Sequence, residues 1–244
     1  MAWQSSGKSN SQLINNLFKN GLIKHDRVKN AMLAVDRANY CTSSPYEDSP
    51  QAIGYAATIS APHMHVHACE LLLPFLNPDS RVLDIGSGSG YLTHVFANLI
   101  TDDAFTSSKG TVIGIDHIKG LVDMCNTNVA KSESGRRLLE SGKVRFVLGD
   151  GRLGFPDGGP YDAIHVGAAA ETMHPSLIDQ LRAPGRMFIP VEAGGENGLR
   201  SFGLGGGSQH VWVVDKKEDG SVVKEKIFGV SYVPLTDAPR GSLS

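Results

Sequence analysis

From Arg81 onward two periodicities take turns along the chain. The runs RVLDIG, TVIGID, VRFVLGDG, YDAIHVGAAA and RMFIPV are short, apolar and of strand length. Between them YLTHVFANLI, IKGLVDMCNTNVA and HPSLIDQLRAPG read as helices. Alternation of this length predicts an α/β fold with a mostly parallel sheet. Ahead of it, Leu13, Ile14, Leu17 and Phe18 share one face of a helix that Gly21 stops, and Asp26 is placed to cap a second helix carrying Val28, Ala31, Met32 and Val35. Next comes YCTSSPYEDSPQAIGYAATISAPHMH, which reads as one long loop; connections of that length are often functional. Pro62 suits the first turn of a helix through HMHVHACELLLPFL. In the tail, HVWVVDKKEDGSVVKEKIFGV predicts a β-hairpin turning near Asp219-Gly220, and VSYVPLTD a last strand. Two inserts, TDDAFTSSKG and the glycine-rich EAGGENGLRSFGLGGGSQ, are expected to be mobile surface loops.

Composition narrows the class. The 244 residues suit one α/β domain with additions. The boundaries expected are an N-terminal helical segment over 1–78, a nucleotide-type core over 79–192, and strands and loops over 193–244. A net charge of -2 without a basic cluster speaks against a nucleic-acid partner. Three cysteines, Cys41, Cys69 and Cys125, show no CxxC spacing, which fits a reducing compartment. No apolar run has signal-peptide or membrane length. The expectation is a cytoplasmic protein, monomeric and free of membrane.

The chemistry concentrates after the first parallel strand. Gly86, Gly88 and Gly90 follow RVLDI in a GxGxG spacing, where glycine permits close backbone approach and positive φ. No Lys-Ser/Thr pair follows, so this is not a phosphate-cradling P-loop. Asp116 ends the next strand, where a carboxylate can accept hydrogen bonds from two ribose hydroxyls. That acid serves NAD and S-adenosylmethionine alike. Asp84 stands just before the glycines, where it could organise the loop or meet a ligand ammonium. Asp150 ends the third strand, where an acceptor could meet an adenine amino group. A ligand with an amino-acid end and no phosphates suits Asp84 better than a pyrophosphate, because like charges repel. The residues therefore favour S-adenosylmethionine over NAD.

The segments ATISAPHMH, VLDIGSGSGYLT, VIGIDHI, GDGR, YDAIHVGAAA and YVPLTD together resemble the protein-L-isoaspartate O-methyltransferases, and MAW and NGLIKHDRV resemble eukaryotic members. The resemblance implies a doubly wound sheet of the methyltransferase, Rossmann-like type, with its last strands placed unusually. It also implies methyl transfer from S-adenosylmethionine to the free α-carboxylate of isoaspartyl residues in damaged proteins and peptides. S-adenosylhomocysteine is then the product, and the ester collapses to a succinimide that starts repair. By the same resemblance Ser60 is the active-site residue, and Ala57, Thr58, Ile59 and His65 belong to its segment. Ser89, Asp116, His117, Asp150, Gly151 and Thr236 join Asp84 and the loop glycines in lining the cofactor site. The chain departs from the family in having Glu192 where a glycine usually follows PV, and in ending on APRGSLS after YVPLTD.

The expected chemistry asks little of the side chains. An isoaspartyl α-carboxyl, with a pKa of about 3.5, is already a nucleophile at neutral pH, so no general base is needed. Positioning can then supply roughly 7–11 kcal/mol. Other readings stay open on the residues alone. Ser60 could cap the helix begun by Pro62. His63 and His67 could share a helix face as metal ligands, but nothing nearby completes the set. Cys125 reads as packed core, with no base beside it. The competing functions are a methyltransferase for a small molecule or RNA, an NAD-dependent dehydrogenase, and a non-catalytic adenosyl-binding module.

Overall fold

In the computed structural model, which describes residues 5–101, 109–192 and 209–235, period-two alternation sorts the strand residues into two cores. The parallel strands are β3 (Arg81–Ile85), β4 (Thr111–Asp116), β5 (Val144–Leu148), at one edge, β6 (Tyr161–Val166) and β7 (Leu181–Glu192). Val82, Val112, Ala163 and Phe188 point to one face, while Leu83, Ile113, Ile164, Met187 and Ile189 point to the other. Two long antiparallel strands, β8 (Gln209–Lys216) and β9 (Val222–Val230), extend the sheet. The order is β5-β4-β3-β6-β7-β8-β9, parallel through β7 and antiparallel beyond it. The chain reverses direction across the sheet between β3 and β6. That is where an open α/β sheet forms its ligand crevice.

The first face is covered by α1 (Asn10–Lys19), α2 (Asp26–Leu33), α3 (Pro62–Leu72), α4 (Tyr91–Ile100), α5 (Lys119–Val129) and α6 (Glu133–Glu140). The described cover of the second face is thinner, with α7 (Pro175–Asp179) and short 3-10 turns. Gly21, at φ 73, ends α1 as expected, and Pro62 opens α3. Gly220, at φ 81, makes the expected turn between β8 and β9.

Several expectations are corrected. Asp26 is the first residue inside α2 rather than its cap; the Glu70 carboxylate accepts from the Lys24 and His25 N–H groups instead. Phe18 is exposed under the Lys29 ammonium, 4.2 Å from its ring centre. The long loop contains a small hairpin of β1 (Gln51–Gly54) and β2 (Ala57–Ile59). Helix α6 went unread because only Gly135 and Leu138 of it are buried. The predicted helix HPSLIDQLRAPG ends at Asp179. The Gln180 carbonyl turns to accept from Tyr161 N, and a register irregularity carries Arg182 to Gly185 into β7. Residues Ser231 to Leu235 form no strand; Pro234 makes a single bridge to Ala169. The two inserts lie largely outside the described residues.

Candidate active site

Two loops meet at the crevice. The first leaves β3, where Gly86, Gly88 and Gly90 have φ of 74, 55 and 83. L side chains resist such values, so the glycines allow the chain to fold back, with Gly86 N and Ser87 N both donating to the Ile115 carbonyl. Asp116 fixes the far side: its carboxylate accepts from Gly88 N and Ile118 N, each at 3.1 Å. Burial raises its pKa above 3.8 even though those N–H groups favour the ionised form. Each oxygen keeps a lone pair for an incoming donor.

The second loop runs from the β1–β2 hairpin through Ser60 to α3. It is pinned at both ends by buried charge. Arg37 is fully buried, and its guanidinium donates to the Ser60 carbonyl at 2.9 Å. Burial lowers its pKa, but a guanidinium keeps its proton at neutral pH. Asp48, 1% exposed, accepts from His63 N at 2.9 Å and bonds the His63 ring at 2.8 Å. Asp48 therefore caps α3 from outside the helix. Ser60 does not: the cap position is Ala61, with no side-chain bond. Ser60 instead borders the same cavity as Tyr232, whose hydroxyl is kept protonated by burial. His65 is held neutral by burial and by Arg37 beside it. His63 and His67 meet edge to face at 6.5 Å, and no metal-binding group of three is found among the described residues.

The loops enclose two cavities. One, of ≈ 320 Å³, is lined by Ala57, Thr58, Gly86, Gly88, Asp116, His117 and Gly151, all expected from the sequence. The other, of ≈ 480 Å³, contains Ser60 with Thr58, His63, Met64 and the segment from Gly229 to Val233. Thr58, Gly167 and Val233 border both. A narrow cleft of ≈ 30 Å³ runs beneath, past Ile59, Ser60, His65, Asp84 and Ser89.

Three expected residues stand apart. The Asp84 carboxylate is 1% exposed, bonded to Thr93 Oγ1 at 2.5 Å and His165 Nδ1 at 2.7 Å, and borders the narrow cleft rather than either larger cavity. Asp150 borders neither cavity itself, although its neighbour Gly151 lines the first; Arg152 holds its carboxylate through Nε and a terminal nitrogen at 2.7–3.1 Å. Gly90 packs on Cys125 and Phe146, where a Cβ would come within 3.2 Å. Thr236 lies outside the described residues. Sequence reasoning missed Tyr55, Ala56, Ile118 and Leu121, and the segment Val233 to Leu235, all of which line the first cavity. The signal for the last segment was present in YVPLTD. Its ladder to Ala169, through Ala169 N to Val233 O and Leu235 N to Ala169 O, brings it over the crevice.

The arrangement binds and orients. A cavity of this size takes a small molecule, and Asp116 offers it two acceptors at the end of β4. The glycine floor would be blocked by side chains: a Cβ on Gly151 would run into the Ile85 side chain, and one on Gly167 would lie 3.1 Å from the Gly86 carbonyl.

Comparison with known proteins agrees. The chain is 43% identical over 236 residues to protein-L-isoaspartate O-methyltransferase of Caenorhabditis elegans, covering 97% of this chain and 96% of that one. It is 44% identical to protein-L-isoaspartate O-methyltransferase 1 of Arabidopsis thaliana, over 95% of this chain and 93% of the other. A crystal structure of a Plasmodium falciparum protein described as a protein-L-isoaspartate O-methyltransferase, in complex with S-adenosyl-L-homocysteine, superposes with a TM-score of 0.81 at 32% identity, covering 94% and 99% of the two chains. The family model for protein-L-isoaspartate(D-aspartate) O-methyltransferase matches residues 8–240, and the chain belongs to that family.

Proposed function

We propose that the chain methylates the free α-carboxylate of L-isoaspartyl residues in damaged proteins and peptides, using S-adenosylmethionine and releasing S-adenosylhomocysteine. The ester then closes to a succinimide and repair begins. The observation that carries the reading is the joining of two cavities at Thr58 and Gly167, one holding Asp116 and the other Ser60. The first fits an adenosyl group, with Asp116 accepting from ribose hydroxyls and Ile115, Ile118 and Leu121 offering apolar walls. The second is open enough for a peptide.

When bound, S-adenosylmethionine supplies an electrophilic methyl carbon on a sulfonium. The chain's own residues do the rest by placement. Ser60 presents a hydroxyl to the incoming carboxylate, and the Arg37 guanidinium fixes the Ser60 backbone from behind. Burial and the neighbouring Arg37 hold His65 neutral, so it brings no positive charge to compete for the anion, and its lowered pKa makes it a weak base. The nucleophile arrives ionised, so positioning and loss of water are what the site contributes, worth roughly 7–11 kcal/mol.

The whole chain is read as one catalytic unit, acting as a cytoplasmic monomer on protein and peptide substrates without nucleic acid or membrane. No helix among the described residues is long and apolar enough to cross a membrane. The test is the lability of the product. Methyl groups carried from labelled S-adenosylmethionine should return as volatile methanol under mild base, as carboxyl esters do; a base-stable label would assign another acceptor.

A further inference from the structure

The tip of the β1–β2 hairpin is the most conformationally costly place among the described residues. Gly54, Tyr55 and Ala56 have φ of 90, 52 and 56 in succession, so the two central residues of a tight turn are left-handed. Such a turn favours Asn-Gly or Gly-Gly, and here it carries neither. Strain of this kind persists where the surroundings enforce it. What the turn achieves is the placement of one ring. Tyr55 is 56% exposed for so large an apolar side chain, yet it is not idle. It lines the first cavity and lies against Gly120, at the start of α5. A Cβ on Gly120 would have Tyr55 Cε1 and Oη 2.5 Å away. The bare Cα of Gly120 is therefore the seat of the ring. Ile118 and Leu121, either side of that seat, line the cavity too, so ring and helix form one lip.

We propose that Tyr55 is a cofactor-retaining residue: seated on Gly120, its ring closes the outer side of the adenosyl cavity, slowing escape of the bound nucleoside and raising affinity for it. The hairpin must lift for cofactor and product to exchange. This rests on the reading of that cavity as the adenosyl site. Gly120 has an ordinary backbone conformation, so an alanine there is not strained and only the flexible end of Tyr55 must yield. Gly120→Ala thus displaces the ring without harming the helix.

The test measures S-adenosylhomocysteine binding by calorimetry and its release by rapid displacement, in Tyr55→Ala, Tyr55→Phe, Gly120→Ala and the Tyr55→Ala/Gly120→Ala double variant. Loss of one aromatic face should weaken binding by about five- to tenfold in Tyr55→Ala and Gly120→Ala, mainly through faster release. Tyr55→Phe should retain wild-type affinity, and the double variant should be no weaker than Tyr55→Ala alone. The KM for S-adenosylmethionine should rise in step while kcat is kept or increased, a split that a general loss of structure would not give. Unchanged release in Gly120→Ala, with its melting temperature intact, overturns the proposal, and so do additive effects in the double variant. Failure of the wild-type protein to bind S-adenosylhomocysteine would instead remove the reading of the cavity itself.

Discussion

At the residue scale, two side chains carry separable work. Ser60 meets the acceptor, so Ser60→Ala should lower kcat by about tenfold, the worth of one hydrogen bond at the reacting carboxylate, with the KM for S-adenosylmethionine little changed. Steady-state kinetics on an isoaspartyl peptide decide this; equal kcat would remove Ser60 from the site. Asp116 holds the other partner. Its carboxylate accepts most strongly from ribose hydroxyls when ionised, and burial raises its pKa above 3.8. Affinity for S-adenosylhomocysteine should accordingly fall on acidification, with an apparent pKa above that ordinary value. Asp116→Asn should weaken binding about 10- to 100-fold and abolish the pH dependence, as loss of charge-assisted bonds requires. Asp116 was legible because it ends a strand next to the glycine loop. Asp150 was read in the same way, and what GDGR does not show is that Arg152, two residues on, folds back onto its carboxylate.

At the scale of elements, legibility followed how strongly local pattern agreed with burial. Strand β3 reads cleanly because four of its five residues are buried. The β1–β2 hairpin was invisible because its turn residues, Tyr55 and Ala56, are poor formers of left-handed backbone; tertiary contact with α5 enforces them. The segment from Ser231 to Leu235 looks like a strand by composition, yet it spends its hydrogen bonds on Ala169 above the crevice. Helix α3 began where Pro62 said it would, while its cap came from Asp48, far back in sequence and so beyond any local reading. That cap yields a prediction. Asp48→Ala should cost about 2 kcal/mol or more, since it strips the N-terminus of α3 and leaves buried Arg37 without its nearby opposite charge. Asp48→Asn, which keeps an acceptor, should cost less. Denaturant unfolding ranks the two, and equal stability of all three proteins would refute the cap.

For the whole molecule, the sheet reverses its winding between β3 and β6, and both cavities open there. The core that holds this crevice is sensitive to acid. His94 is fully buried, with Tyr40 Oη 2.5 Å from Nδ1 and no partner for Nε2 among the described residues. Burial takes its pKa from 6.5 down to about 4, so the folded state excludes a proton that the unfolded chain accepts. The stability concerned is fully present above pH 6.5 and is lost progressively as pH falls to about 4, by about 3 kcal/mol in all. His94→Gln should flatten the fall of unfolding free energy across that window; an unchanged slope would show that His94 is not its source. The central claim, however, is chemical: a carboxylate that has already lost its proton is set beside a sulfonium methyl by Ser60 and Asp116. Two peptides differing only in an aspartyl or isoaspartyl linkage, each incubated with the protein and labelled S-adenosylmethionine, test it most directly. Label on the isoaspartyl peptide and none on its aspartyl twin is the predicted result; equal labelling of both, or of neither, would contradict the account.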